Sequence, residues 1–193
     1  AAAEVEGELL AGGIVVIPTD TVYGLAAVAA HTAGVDAVFA AKQRPSDRRV
    51  AVLIADPAQA RELAITGDNF ARLAQQFWPG PLTMVMPRSA AAPTAAGDPS
   101  TIGVRCPGDR FVVEVCRRVG PLATTSANSH GDPAATSARS AALMLPDVSL
   151  IVDGGTRSGK VSTVVDMSGP LPVVLREGAI SLAEIRAALG LPS

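Results

Sequence analysis

Aromatic side chains are scarce in this chain. One tryptophan, one tyrosine and four phenylalanines make up 3% of its 193 residues. A core must therefore come from alanine and the branched aliphatics within a 48% hydrophobic composition. Cysteine is scarcer still, and Cys106 and Cys116 make no disulfide framework, so buried thiols in a reducing compartment are expected. With only His31 and His130 beside them, no zinc-ligand spacing exists. There is no excess of positive charge either. A net charge of −2 and a pI near 5.7 argue against a protein built mainly to coat nucleic acid. A local basic cluster remains, because Lys42, Arg44, Arg48 and Arg49 fall close together. No apolar run approaches the ~20 residues of a membrane span, and the N-terminal stretch carries glutamates rather than a basic signal region. The expected location is the cytoplasm, with no membrane partner. Repeats and long linkers are also lacking, so residues 1–193 read as one domain.

What is present begins with Ile14-Val15-Val16-Ile17, four branched aliphatics that read as a buried strand. Pro18-Thr19-Asp20-Thr21-Val22-Tyr23-Gly24-Leu25 follows, with Gly24 expected to turn the chain. In an open α/β sheet, ligands bind beyond strand ends, where these hydroxyls would lie. An ordinary hydrogen-bonded turn would use the same residue types.

Helices are expected over 1–11 and along Val35, Val38, Phe39 and Lys42, which share one face. Further helices follow Asp56-Pro57, Asp68, Asp109 and Ser137, and Ser181-x-x-Glu184 opens the last with a capping box. Strands are expected at 50–55, 82–86, 102–105, 121–125, 150–152, 163–166 and 173–176. Helix and strand alternate early and strands cluster late, which predicts an α/β fold with a mixed, twisted sheet.

Several segments carry candidate chemistry. Lys42-Gln43-Arg44 places two cations at a helix end, where they suit phosphate charge as well as a solvated basic face. Thr124-Thr125-Ser126-Ala127-Asn128 ends a second apolar strand in hydroxyls and an amide, able to grip an anion or simply to cap a turn. Arg105 could pair two-pronged with a carboxylate, or form a structural ion pair. Ser162-Thr163 and Arg176 border apolar runs. The stretch 154–160 nearly spells a P-loop. Val161 stands where a Ser or Thr should be, and a strand pattern follows instead of a helix, so it reads as a flexible glycine-rich loop, a candidate lid.

Taken in order, the octet, Lys42-Gln43-Arg44, Trp78-Pro79-Gly80-Pro81-Leu82-Thr83, residues 100–108, Ser126-Ala127-Asn128, Val152-Asp153-Gly154-Gly155, residues 162–166 and Arg176-Glu177-Gly178-Ala179-Ile180 resemble the YrdC-like threonylcarbamoyl-AMP synthase family. The resemblance runs from about Gly12 to Ile180. It implies a single YrdC-like catalytic domain with helices around a basic concave cavity, in the short form without a C-terminal accessory domain. It also implies a nucleotidyltransferase reaction in which L-threonine, bicarbonate and ATP give threonylcarbamoyl-AMP and pyrophosphate. That product serves threonylcarbamoyladenosine formation in ANN-decoding tRNAs, through downstream transfer proteins.

Under the resemblance Lys42 and Arg44 are catalytic, and Thr19, Arg105, Thr124 and Ser162 contact threonine. Lys42, Arg44, Thr101, Ser126, Asn128 and Arg176 contact ATP, Tyr23 shapes the wall, and Mg2+ arrives with the nucleotide. Longer relatives carry Asn-Pro after the KxR segment, then a histidine, and a serine after SxN. Arg48-Arg49, Leu53 and Ala134 stand near those places here. The alternative from another class is a non-catalytic module of the same fold that binds double-stranded RNA or tRNA.

Overall fold

The computed structural model describes residues 2–42, 50–93, 98–128 and 132–192. The chain opens with helix α1 (Ala2–Leu10), strand β1 (Val15–Pro18), strand β2 (Tyr23–Val28) and helix α2 (Thr32–Ala41). Strand β3 (Ala51–Leu53), helices α3 (Pro57–Leu63) and α4 (Asp68–Phe77), and strands β4 (Leu82–Pro87) and β5 (Thr101–Arg105) come next. Helix α5 (Arg110–Val119), strand β6 (Leu122–Ser126), helix α6 (Ala138–Met144) and strand β7 (Leu150–Ile151) follow. Strands β8 (Thr163–Asp166) and β9 (Val173–Arg176) and helix α7 (Leu182–Leu189) complete the order.

Among the described residues the strands form one sheet in the order β7-β1-β2-β6-β3-β5-β4-β8-β9. Three neighbouring pairs, β1/β7, β3/β5 and β4/β8, are parallel and the others antiparallel, so the mixed α/β sheet expected from the alternation is present. Helix boundaries follow their caps. Asp56 and Asp109 each accept two backbone N–H bonds, and Ser137 and Ser181 open capping boxes. Helix α4 differs slightly, because Gly67 holds the cap position and Asp68 is already in the first turn.

Gly24 departs from expectation. It does not turn the chain but lies inside β2, which forms a hairpin with β1. A Cβ there would come within 2.8 Å of the Thr124 methyl on β6, so glycine permits the two strands to pack closely.

Strand alternation separates a packed face from an open one. On β4 and β5, Met84, Met86, Ile102 and Val104 join the core formed with Phe70, Leu73 and Ile185. Thr83, Val85, Gly103 and Arg105, the alternating set, line a cavity instead. That open face is made of short side chains, including Gly24, Ala51 and Thr124. Low bulk over the middle of the sheet is what leaves the space. Among the described residues no helix is long and apolar enough to cross a membrane.

Both cysteines are free and buried, as expected. Burial, then the charges of Asp56 and Asp20, push the Cys106 thiol from 9.0 to about 11. Burial and the neighbouring Cys106 push Cys116 to about 12. The folded state therefore disfavours thiolate, and this erodes stability only as pH rises above the unfolded value toward 11 or 12. At pH 8 neither native thiol should react with iodoacetamide, while both should be alkylated after unfolding, as read by intact mass. Native labelling at the unfolded rate would contradict this burial.

Candidate functional site

The cavity measures about 330 Å³, at the small end for ligand sites. It is walled by the turn between β1 and β2, by the open faces of β3 to β6, and by β8 and β9. Among its lining side chains two are arginines, Arg105 and Arg176, and none is a carboxylate.

Arg105 ends β5 pointing into this space and is held from three sides. Its Nε donates to Gly80 O at 3.1 Å, Nη1 to Thr21 Oγ1 at 3.1 Å, and Nη2 to Asp20 Oδ1 at 2.6 Å. The Trp78-Pro79-Gly80-Pro81 segment thus supplies a carbonyl that faces the site. Arg176, at the solvent-exposed rim, donates from Nε and Nη2 to Ser162 O at 3.2 and 2.9 Å. Protein on its inner side still lowers its pKa, first by desolvation and then by the positive charge of Arg105. Water on the outer side screens that effect. Two like charges across a small cavity favour an anion between them.

Hydroxyls complete the wall. Thr83 Oγ1 and Ser162 Oγ, both buried, share a hydrogen bond of 2.9 Å, and Arg176 Nη2 reaches Ser162 Oγ at 3.2 Å. Thr19 Oγ1 donates to Val22 O at 2.7 Å and accepts from the N–H groups of Thr21 and Val22. Its hydroxyl is thus engaged in shaping the turn. Thr124 Oγ1 bonds Leu122 O within its own strand at 3.3 Å.

A second group sits beside the cavity. Lys42, at the C-cap of α2 and only 3% exposed, donates from Nζ to Ser126 O and to Asn128 Oδ1. Ser126 Oγ donates to the same Asn128 Oδ1 at 2.8 Å, and Asn128 Nδ2 donates to Asp132 O. Lys42 and the Ser126-Ala127-Asn128 segment, 84 or more residues apart, are one cluster.

The structure therefore gathers Thr19, Arg105, Thr124, Ser126, Ser162 and Arg176 on one cavity, with Lys42 and Asn128 joined to it through Ser126. Thr101 is not among the lining residues, but it shares the β5 face of Gly103 and Arg105, and its buried Oγ1 has no hydrogen-bond partner. Gln43, Arg44, Arg48 and Arg49 lie outside the described residues. Of the departures from longer relatives, Leu53 lines the cavity from β3.

Two contributors were missed in the sequence, Asp20 and Thr83. Thr83 carried a signal, since a threonine two residues before a valine alternates with Leu82, Met84 and Met86 along β4. Asp20 carried none, because its partner lies on a distant strand.

The glycine-rich stretch 154–160 lies in a loop, 152–162, that has no regular structure and leads into β8, not into the helix a P-loop requires. It is anchored at several points. Tyr23 OH donates to Gly155 O at 2.8 Å and accepts from Gly154 N at 3.0 Å, and Arg157 pairs with Asp109 at 3.2 Å. Gly159 N reaches Thr21 O at 3.3 Å. The loop thus crosses over the β1–β2 turn. The motif after β9 has a similar explanation, because Thr163 Oγ1 accepts from the N–H groups of Gly178 and Ile180 at 2.9 and 3.0 Å. Among the described residues no group of three or more His, Cys, Asp or Glu could hold a metal ion.

The Sua5/YciO/YrdC family model, described as telomere recombination, matches residues 8–178. The chain is 40% identical over 191 residues to the threonylcarbamoyl-AMP synthase of Pyrococcus abyssi, covering 95% of this chain and 56% of that one. It is 38% identical over 183 residues to the Bacillus subtilis enzyme of the same name, covering 92% and 53%. Its length is thus about half that of these curated relatives. A crystal structure of P. abyssi Sua5 complexed with L-threonine superposes with a TM-score of 0.92 at 37% identity, over 98% of this chain and 57% of that one. With the model spanning most of the chain and the fold matched throughout, the chain belongs to the Sua5/YciO/YrdC family.

Proposed function

We propose that this domain is an L-threonylcarbamoyladenylate synthase, a nucleotidyltransferase that makes threonylcarbamoyl-AMP and pyrophosphate from L-threonine, bicarbonate and ATP. The observation that carries the reading is the cavity wall, where Arg105 and Arg176 face a space lined by hydroxyls, with no carboxylate among the lining side chains. Threonine brings a carboxylate and a hydroxyl, and ATP brings the phosphates. Three of the five Arg105 N–H groups are used within the protein, which leaves one on each terminal nitrogen for the two oxygens of a carboxylate. The Thr83–Ser162 pair offers both a donor and an acceptor to a substrate hydroxyl.

In this reading the threonine amine forms a C–N bond with bicarbonate and water is lost, giving a carbamate. A carbamate oxygen then bonds the α-phosphorus as the bond to the β-phosphate oxygen breaks and pyrophosphate leaves. Lys42, Arg44, Thr101, Ser126, Asn128 and Arg176 are assigned to ATP, with Mg2+ entering as its counter-ion. The chain's contribution is positioning and charge neutralisation, so no covalent enzyme intermediate is expected. A cytoplasmic setting fits the two free thiols, and the adenylate would pass to tRNA-modifying transfer proteins.

The test is pyrophosphate release from ATP and bicarbonate, with threonine, serine or valine supplied in turn. A methyl in an apolar niche discriminates by only about 1–3 kcal/mol, whereas leaving a buried hydroxyl pair unmatched costs more. Serine should therefore outperform valine, with threonine best. Valine equal to serine would remove the hydroxyl recognition. No amino-acid dependence, together with calorimetric binding of tRNA in the absence of ATP and threonine, would favour the RNA-binding alternative.

A further inference from the structure

We infer that Asp20 is a positioning residue for amino-acid recognition, acting through Arg105. The inference rests on the reading of Arg105 as the carboxylate anchor. Asp20 sits in the four-residue connection between β1 and β2, and its Oδ1 accepts from Arg105 Nη2 at 2.6 Å. The pair is largely out of water, with side chains 7% and 17% exposed for Arg105 and Asp20. A buried ion pair is weak evidence for stability, because desolvating both charges offsets their attraction. What such a pair does supply is orientation.

The surrounding geometry bears this out from two directions. The Asp20 carboxylate fixes one terminal nitrogen, while Thr21 Oγ1 fixes the other and Gly80 O fixes Nε. Two of these restraints come from the β1–β2 connection and the third from the segment that leads into β4. The turn that presents Asp20 is itself held by Thr19, through its N–H to Val22 O at 3.1 Å and its hydroxyl. Independently, Gly108 in the Cys106-Pro107-Gly108-Asp109 turn approaches the carboxylate so closely that a Cβ would lie 3.3 Å from Asp20 Oδ2. The chain leaves room there for that carboxylate. Asp20 thus sets the direction of the guanidinium before substrate arrives, and this preorganisation should show in threonine affinity alone.

The experiment measures KM for threonine and for ATP in Asp20→Ala, Asp20→Asn and Arg105→Lys, each first checked for a cooperative thermal transition. Asp20→Ala should raise the threonine KM by at least about tenfold and leave the ATP KM within about twofold. Asp20→Asn keeps an oxygen acceptor at the same place and should recover much of that loss, which also guards against an alanine variant that fails to fold. A threonine KM close to the parent's in both Asp20 variants, a parallel rise for both substrates, or an asparagine variant as impaired as alanine would overturn the inference. Arg105→Lys separates the two levels. If it raises the threonine KM while the Asp20 variants do not, only the positioning role falls. If it changes nothing, the carboxylate-anchor reading falls with it.

Discussion

Arg105→Ala should abolish amino-acid recognition almost completely. Each charge-assisted hydrogen bond contributes about 1.5–3 kcal/mol. Losing a two-point grip on a carboxylate should therefore weaken threonine binding at least about a hundredfold, or about 2.7 kcal/mol. The substitution should also lower stability, because the Asp20 carboxylate, 17% exposed, loses its Nη2 partner. An unsatisfied group of this kind costs about 1–3 kcal/mol, which for a chain of this size is several degrees in Tm. The two effects separate in the double variant Asp20→Asn/Arg105→Ala. Removing the stranded charge should restore much of the Tm and none of the binding. Calorimetric titration with threonine, in the presence and absence of ATP, reads the first effect, and thermal unfolding reads the second. Threonine affinity within about threefold of the parent would make Arg105 a structural ion pair and nothing more.

Lys42→Met should lower turnover by at least about tenfold, about 1.4 kcal/mol of barrier, with a smaller change in threonine KM. Lys42 ends α2 with its stem buried, and its ammonium binds Ser126 O and Asn128 Oδ1 at the end of β6. Methionine keeps the apolar stem and removes the charge, so packing is retained while Ser126 O and Asn128 Oδ1 both lose the ammonium, Asn128 Oδ1 keeping its bond from Ser126 Oγ. If the lysine serves phosphate charge in the transition state, the loss falls on turnover more than on the binding of the amino acid. Arg44→Ala should act in the same direction, on the strength of its place in the KxR segment. Pyrophosphate release under saturating threonine and ATP gives the answer. Parental turnover from a folded Lys42→Met protein would leave Lys42 as a tie between α2 and β6.

How much of this was legible in advance depended on the range of the interaction involved. The Asp109 cap of α5, the Asp56-Pro57 start of α3 and the Ser181–Glu184 capping box are local, and each was readable from a few neighbouring residues. Strand β2 was not readable. Its sequence, Tyr23-Gly24-Leu25-Ala26-Ala27-Val28, is rich in residues with low strand preference, and a glycine following a polar octet looks like a turn. It is a strand because β1 and β6 flank it on both sides and Gly24 accommodates the Thr124 methyl.

Patterning and capping within a few residues were enough for the α/β class, most helix starts, the buried thiols and the set of polar strand ends. Tertiary structure alone decided which of those ends meet. It placed β6 between β2 and β3, set Thr83 against Ser162, 79 residues away, and joined Asp20 to Arg105 across 85 residues. No local pattern encodes these pairings. They arise because the sheet order brings small residues to one open face, where the remaining charges and hydroxyls must satisfy one another or a ligand.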